Sequence, residues 1–506
     1  MSEKHVTGAG GGSGTPPLQL IVSLATAGDT AAAETLAKSI ADRNVAVQAW
    51  RFLSELNANL QRWDQAVSDI ENALQHEPNS RPLRFTRAVL FGQQGNDRAA
   101  LAELEALARE AVDSPQLLVH LATQLTSAGR ADEAHQVLLH GLDRWPVDAG
   151  LHTQLARLLW QRGAGLDAMQ AIHRAIEAYP QELHLLLVAA DLLRNAGAAE
   201  RALGLLERGL ALAPDSATFR TSMGALLEGM DRVHEALPYL RDAHRRAPQS
   251  QVARRNLIPA LLRTGAAREA LAFADELLAQ FPEDQMLLAQ RATALRLLDE
   301  AEYRSLCDYG RLVQSFELRP AAQFATIADF NVAFARELAV LHRASRHPLE
   351  QSLRGGSQTE RHLPRDNPVF AAFFAMLEEP VRAYIGALDR GSSHPVDRRA
   401  RAGYAISGSW SVQLQPGGFH IDHVHPRGWL SSAYYVSLPD VSDADSRGGW
   451  LKFGEPGVRI PGLGAEHFVK PAEGMLVLFP SYFWHGTVAF ATGRPRLTVA
   501  FDVIPV

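Results

Sequence analysis

The stretch Ala131–Pro146, ADEAHQVLLHGLDRWP, decides how the first 300 residues are read. Its apolar side chains recur at helical spacing, and Asp132 and Glu133 sit where the positive end of a helix favours carboxylates. Ala134 belongs to a series spaced by 34 residues: Ala32, Ala66, Ala100, Ala134, Ala168, Ala202, Ala236 and Ala270. Pro146 belongs to a second series at the same spacing, Pro78, Pro146, Pro180, Pro214, Pro248 and Pro282, with Pro115 close to the vacant slot at Val112. Five residues before the alanine a glycine recurs, at Gly95, Gly129, Gly163, Gly197 and Gly265, as a residue that ends a helix and turns the chain would. The small alanine then permits close helix packing. Two ladders of one period predict about eight helix–turn–helix units between Leu18 and Asp299.

The period, the alanine and the terminal proline resemble the tetratricopeptide repeat. That resemblance implies an all-α superhelix at residues 18–299, with a concave groove that receives a peptide or protein. A rigid spacer or a dimerisation surface is the plainer use of such an array, and the sequence leaves the oligomeric state open. Residues 1–17, rich in glycine, are expected to be a flexible leader rather than a targeting segment. After Pro282 both ladders stop, and Tyr303–Arg346 looks helical but aperiodic. Residues 300–400 are accordingly expected to be a helical linker and flanking helices, interrupted by a polar loop from Gln351 to Pro368 that serves as lid or connector.

Composition narrows the function classes. With 46% hydrophobic and 21% charged residues, the 506-residue chain is that of a soluble globular protein with more than one core. A net charge of -6 without long single-sign blocks disfavours a nucleic-acid partner. A single cysteine, Cys307, excludes an internal disulfide and a thiolate metal cluster, and suits a reducing cytoplasm with the thiol buried and inert. No uncharged run reaches the roughly 18 apolar residues of a membrane span. Neither a phosphate-binding loop nor a nucleophile triad is apparent.

From residue 401 to 506 the pattern changes to short alternating runs between glycine and proline turns: WSVQLQ, LSSAYYVSLP, WLKFGEPG, GMLVLFP and RLTVAFDVIP. Period-two alternation in successive runs predicts strands, and an antiparallel jelly roll is the natural arrangement. His420, His423 and His425 crowd between two of these runs, and His485 follows another in FPSYFWHGT. Strand ends of a jelly roll converge at one mouth, so the two clusters can share a metal. Side chains two apart on a strand share a face, so His423 and His425, or alternatively His420 and Asp422, can supply a ligand pair.

HVHPRGWLSSAYYV, GGWLKF and GMLVLFPSYFWHG, together with QSLRGGSQT upstream, resemble a bacterial and phage branch of the iron(II)/2-oxoglutarate oxygenases related to prolyl hydroxylases. The resemblance implies a double-stranded β-helix of the jelly-roll, cupin-like kind with flanking helices, Fe(II) as metal, 2-oxoglutarate as co-substrate and ascorbate as an accessory reductant. It makes His423 and His485 the histidine ligands. In prolyl-hydroxylase-like relatives the first ligand stands six residues after the glycine of a Pro-Gly turn, and from Gly417 that count reaches His423. The position two further on, usually aspartate, is His425, so the third ligand is either His425 or Asp422.

The remote carboxylate of a 2-oxo diacid taken into a barrel needs a cation, preferably a forked guanidinium. Arg496-Leu497-Thr498 resembles the Arg-x-Ser element that grips 2-oxoglutarate in this superfamily, with Arg494 as the alternative cation and Tyr435, or Tyr434, as a further hydroxyl. The catalytic residues expected are His423, His425 and His485, and the co-substrate contacts Arg496, Thr498 and Tyr435. The reaction expected is hydroxylation of a protein or peptide recruited by the repeats. A non-catalytic interaction protein with a degenerate cupin-like domain, and a three-histidine iron oxygenase that does not use 2-oxoglutarate, are the rival readings.

Overall fold

A computed structural model describes residues 16–26, 29–60, 62–342, 353–359, 363–365, 367–439, 447–491 and 493–506. Residues 1–15 of the glycine-rich leader lie outside these residues, and Pro17, its expected last residue, begins the helix Pro17–Thr26. The chain divides into two compact units, residues 1–112 and 113–506.

Both units contain helix pairs with the predicted period. In the first, Arg43–Asn59 packs on Trp63–His76, and Arg81–Gln94 on Asp97–Glu110. In the second, the pairs run from Pro115–Ser127 with Ala131–Arg144 to Gln251–Arg263 with Ala267–Gln280, and Gln285–Leu297 adds one more first helix. Ala66, Ala100, Ala134, Ala168, Ala202, Ala236 and Ala270 are all buried at helix contacts. Ala32 departs from its ladder. It stands at the third position of the helix Thr30–Lys38, where its N–H is bound by the Asp29 cap, and Ala33 takes the buried place.

The turn glycines adopt left-handed backbone, with φ of 89° at Gly95 and 81° at Gly265. The same conformation recurs at two slots that lack glycine: Asp231 has φ 63° and Asp299 has φ 53°. Aspartate tolerates this region better than most side chains, so the backbone period runs to Asp299 even though the letters change. Gly209 has another purpose: a Cβ there would stand 2.0 Å from the Phe219 ring on the next repeat. Gly209→Leu is expected to destabilise the second unit by about 3 kcal/mol through overpacking, read as a lower urea midpoint with unchanged slope.

The strands are β1 (Gln314–Glu317), β2 (Leu353–Gln358), β3 (Tyr404–His420), β4 (Leu430–Ser437), β5 (Leu451–Phe453), β6 (His467–Val469), β7 (Met475–Pro480), β8 (His485–Thr487) and β9 (Arg496–Pro505). They form two antiparallel sheets, ordered β1-β7-β4-β9-β3-β2 and β6-β5-β8, the jelly-roll arrangement expected. Two strands correct the reading of residues 300–400 as helical. Ser315 to Glu317 pair with β7, and Leu353–Gln358, inside the supposed polar loop, pair with β3 as an edge strand. Short edge strands with glycine and polar side chains carry little alternation, which is why they read as loop.

The helices Ile327–Leu341 and Pro368–Met376 cover the outer face of the large sheet, with Phe330, Phe334 and Phe373 around Tyr434. Cys307 is buried, and burial raises its thiol well above the ordinary value, as expected of an inert cysteine. Among the described residues no helix is long and apolar enough to cross a membrane.

Within the second unit the loop after β5 reaches back to the repeats. Ile460 is buried in the repeats' own hydrophobic core, with Val458 and Leu463 packed against it. Arg296 donates to the carbonyls of Gly454 and Gly464 and pairs with Glu466 at 3.1 Å. Trp484 Nε1 donates to Thr293 Oγ1 at 3.0 Å. The last repeats are therefore a wall of the β domain.

Candidate metal centre

His423 and His485 are joined through their backbones, each N–H donating to the other's carbonyl at 3.0 and 3.1 Å. Their Nδ1 atoms lie 2.7 Å from the Ile421 carbonyl and 2.9 Å from the Phe483 carbonyl. A carbonyl oxygen only accepts, so each Nδ1 carries the proton and each Nε2 presents a lone pair. His425 places Nδ1 2.6 Å from Asp502 Oδ1 and Nε2 3.3 Å from His423 Nε2. The Asp502 carboxylate is held in turn by Ser431, whose hydroxyl donates to it at 2.7 Å.

One ligand nitrogen from each of the three histidines lies within 4.8 Å of the other two. Converging lone pairs repel, and a cation among them removes that repulsion, so the donor set fits a divalent metal. Nitrogen ligands suit iron among other transition metals.

Burial disfavours the charged form at these imidazoles: it holds His423 down to about 3 and His485 and His420 well below the ordinary value. They are therefore neutral, ready to ligate, at physiological pH. The sign of the stability linkage follows. The unfolded chain takes up protons near the ordinary value of 6.5 and the folded one does not, so this stability is present above that pH and is lost as pH falls toward 3. Asp422, raised by burial to about 6, acts in the opposite sense over a narrower range. The metal-free protein is expected to have a lower urea midpoint at about pH 5.5 than at about pH 7.5, and His423→Gln to flatten the difference.

Asp422, the alternative ligand, points elsewhere. Its Oδ2 is 2.7 Å from Lys452 Nζ, and its carboxylate is not part of the three-histidine group. His420 is half-buried beside His423, with ring centroids 5.6 Å apart, and is likewise outside the group.

A cavity of about 50 Å³ is lined by His423, His425, His485, Arg496 and Thr498. Arg496 is only 3% exposed; its Nε has no hydrogen-bond partner and its guanidinium lies over the Tyr435 ring at 5.1 Å. Among the described residues no carboxylate pairs with it. Burial lowers the guanidinium from its ordinary value, which the Tyr435 hydroxyl beside it partly opposes, and neither that hydroxyl nor Arg496 Nε makes a well-formed hydrogen bond. A buried cation and hydroxyl left in this state fit an acidic ligand that arrives from outside. Arg494 instead makes a surface ion pair with Glu473 at 2.7 Å, and Tyr434 gives its hydroxyl to Asn331 at 2.6 Å.

Asp502 went unnoticed in the sequence, although a signal was there. Arg496, Thr498, Ala500 and Asp502 alternate along β9, so one face carries the guanidinium at one end and the carboxylate beneath His425 at the other.

Residues 408–502 match the family described as "Putative 2OG-Fe(II) oxygenase", and residues 18–82 and 121–182 match the tetratricopeptide repeat. No curated protein matches the chain. Among solved structures, similarity extends to a Pseudomonas putida prolyl-4-hydroxylase (18% identity, 40% of this chain and 97% of that one, TM-score 0.28). It extends also to a tetratricopeptide repeat protein from Parabacteroides merdae (16%, 48% and 97%, TM-score 0.32) and to yeast Tom70 (16%, 57% and 61%, TM-score 0.43). The chain thus joins a tetratricopeptide array to a domain that the model of the family described as "Putative 2OG-Fe(II) oxygenase" matches.

Proposed function

We propose that the protein is a 2-oxoglutarate-dependent hydroxylase of a protein or peptide, with His423, His425 and His485 holding Fe(II) and Arg496 holding the remote carboxylate of 2-oxoglutarate. The observation that carries this reading is the meeting, in one cavity, of three imidazoles with an unpaired buried guanidinium. Bound Fe(II) and 2-oxoglutarate supply the oxidising chemistry that turns a substrate C–H bond and O2 into an alcohol, with succinate and CO2 as co-products.

The chain's own residues prepare the site. The Ile421 and Phe483 carbonyls fix the imidazole planes of His423 and His485 by accepting from Nδ1, so the ligand atoms do not have to reorganise. Asp502 does the same for His425 and brings a negative charge next to a ligand set that has no carboxylate of its own. Thr498 and Tyr435 flank Arg496 and can add hydroxyls to the carboxylate it binds. Phe479 and Leu451 complete an apolar lining that limits access of water.

Arg496 also separates this reading from a three-histidine oxygenase that works without a 2-oxo acid, for which a buried guanidinium would be an unrewarded cost. The test is succinate formation by the full chain with Fe(II), ascorbate, O2 and 2-oxoglutarate, with and without peptide. Succinate above a metal-free control is the expected result; its absence, together with no binding of 2-oxoglutarate to the Mn(II)-loaded protein, would overturn the proposal.

A further inference from the structure

His423 lines a second and larger cavity, of about 430 Å³, on the side facing the repeats. One wall is made by the repeat helices Gln251–Arg263 and Gln285–Leu297, the other by Asp422, Trp484 and the loop after β5. Gly457 lets that loop lie flat, since a Cβ there would stand 2.8 Å from the Trp484 ring. The volume lies within the roughly 300–1,000 Å³ of typical ligand pockets, and the cavity opens beside a candidate metal ligand.

Its chemistry is specific. Gln290 is 6% exposed, lines the cavity and has a buried Oε1 with no hydrogen-bond partner. Such an acceptor costs stability unless a ligand donates to it. Asn256, one 34-residue period earlier, carries a second amide on the same wall. The two charged side chains of the cavity have partners, Arg255 with Asp284 at 2.6 Å and Asp422, through Oδ2 only, with Lys452 at 2.7 Å, while the buried Oδ1 of Asp422 has none. An acidic ligand group would find no free cation there, and a carboxylate already neutralised by a lysine is a weak counterion for a basic one. Amides on the first helices of two consecutive repeats, whose axes are about 10 Å apart, match groups about three residues apart on an extended chain.

From this we infer that the cavity is the substrate chamber: it takes an extended, uncharged peptide segment whose backbone N–H donates to Gln290 Oε1 and whose side chain is delivered to His423 past Trp484. The inference rests on the hydroxylase reading and adds the substrate's chemistry and the part of the repeats that selects it.

The test uses the full chain loaded with Mn(II) and 2-oxoglutarate and a library of N-acetylated, C-amidated hexapeptides, with retained peptides identified by mass spectrometry. Uncharged peptides are expected to be retained. Gln290→Leu is expected to weaken them about tenfold, the loss of one buried hydrogen bond. Gln290→Glu, which keeps the shape and the acceptor, is expected to shift selection toward peptides bearing lysine or arginine, so the outcome does not depend on the leucine variant folding. His485→Ala should keep peptide retention while losing metal. Retention by both wild type and His485→Ala without succinate formation by the wild type would support the chamber and sink the hydroxylase reading. Succinate formation driven by peptides whose binding neither Gln290 variant alters would do the reverse. Retention of no peptide, of charged peptides only, or turnover driven equally by small primary amides would overturn the chamber.

Discussion

His485→Ala and His423→Ala are each expected to abolish succinate formation and to lower Fe(II) affinity by at least about a hundredfold. Losing a group that merely orients a ligand costs roughly ten- to a hundredfold in metal affinity or activity, and losing the ligand costs more. The visible absorption that Fe(II) and 2-oxoglutarate give together under anaerobic conditions should vanish in both variants, while far-ultraviolet circular dichroism stays unchanged. Asp422→Asn should keep the absorption, because its carboxylate is engaged by Lys452 and lies outside the histidine group. Loss of the band in Asp422→Asn with retention in His425→Ala would exchange the third ligand and refute the three-histidine arrangement.

Arg496→Leu is expected to act on stability and binding in opposite directions. A buried guanidinium without a carboxylate opposes folding, so the metal- and ligand-free variant should unfold at a higher temperature than the wild type. The same change removes the partner of the incoming carboxylate. Truncating one member of a buried charge pair costs about 2–5 kcal/mol, so 2-oxoglutarate should bind the Mn(II)-loaded protein at least about thirtyfold more weakly. Arg496→Lys should fall between, because an ammonium keeps the charge but not the fork. Calorimetric titration and thermal unfolding measure the two effects on one sample. An unchanged affinity would remove Arg496 from the site.

Both predictions concern residues named from the sequence, and the reasons they were legible are physical. Arg496 and Thr498 lie on one face of a strand whose alternation is plain, and His423 and His485 flank runs that could only be strands. The repeats were legible because 34 residues form one helix pair, and each pair must bury the same small side chain against its neighbour. Asp231 and Asp299 show where letters and backbone part: the turn requires left-handed φ, which aspartate supplies at some cost in place of glycine.

What only tertiary structure decided is what distant segments do to one another. Whether His425 or Asp422 joined the histidines could not be settled by spacing, since both lie two residues from another candidate. The choice follows from Asp502, 77 residues after His425, and Lys452, 30 after Asp422, each of which claims one of them. Likewise Gln290 reads as a polar residue of a repeat helix, and it becomes the buried acceptor of a chamber only because the loop after β5 folds back on the array. Local periodicity is written in the chain because each repeat or strand solves its burial with near neighbours. The third histidine and the chamber depend on contacts between segments far apart in sequence, for which no spacing rule exists.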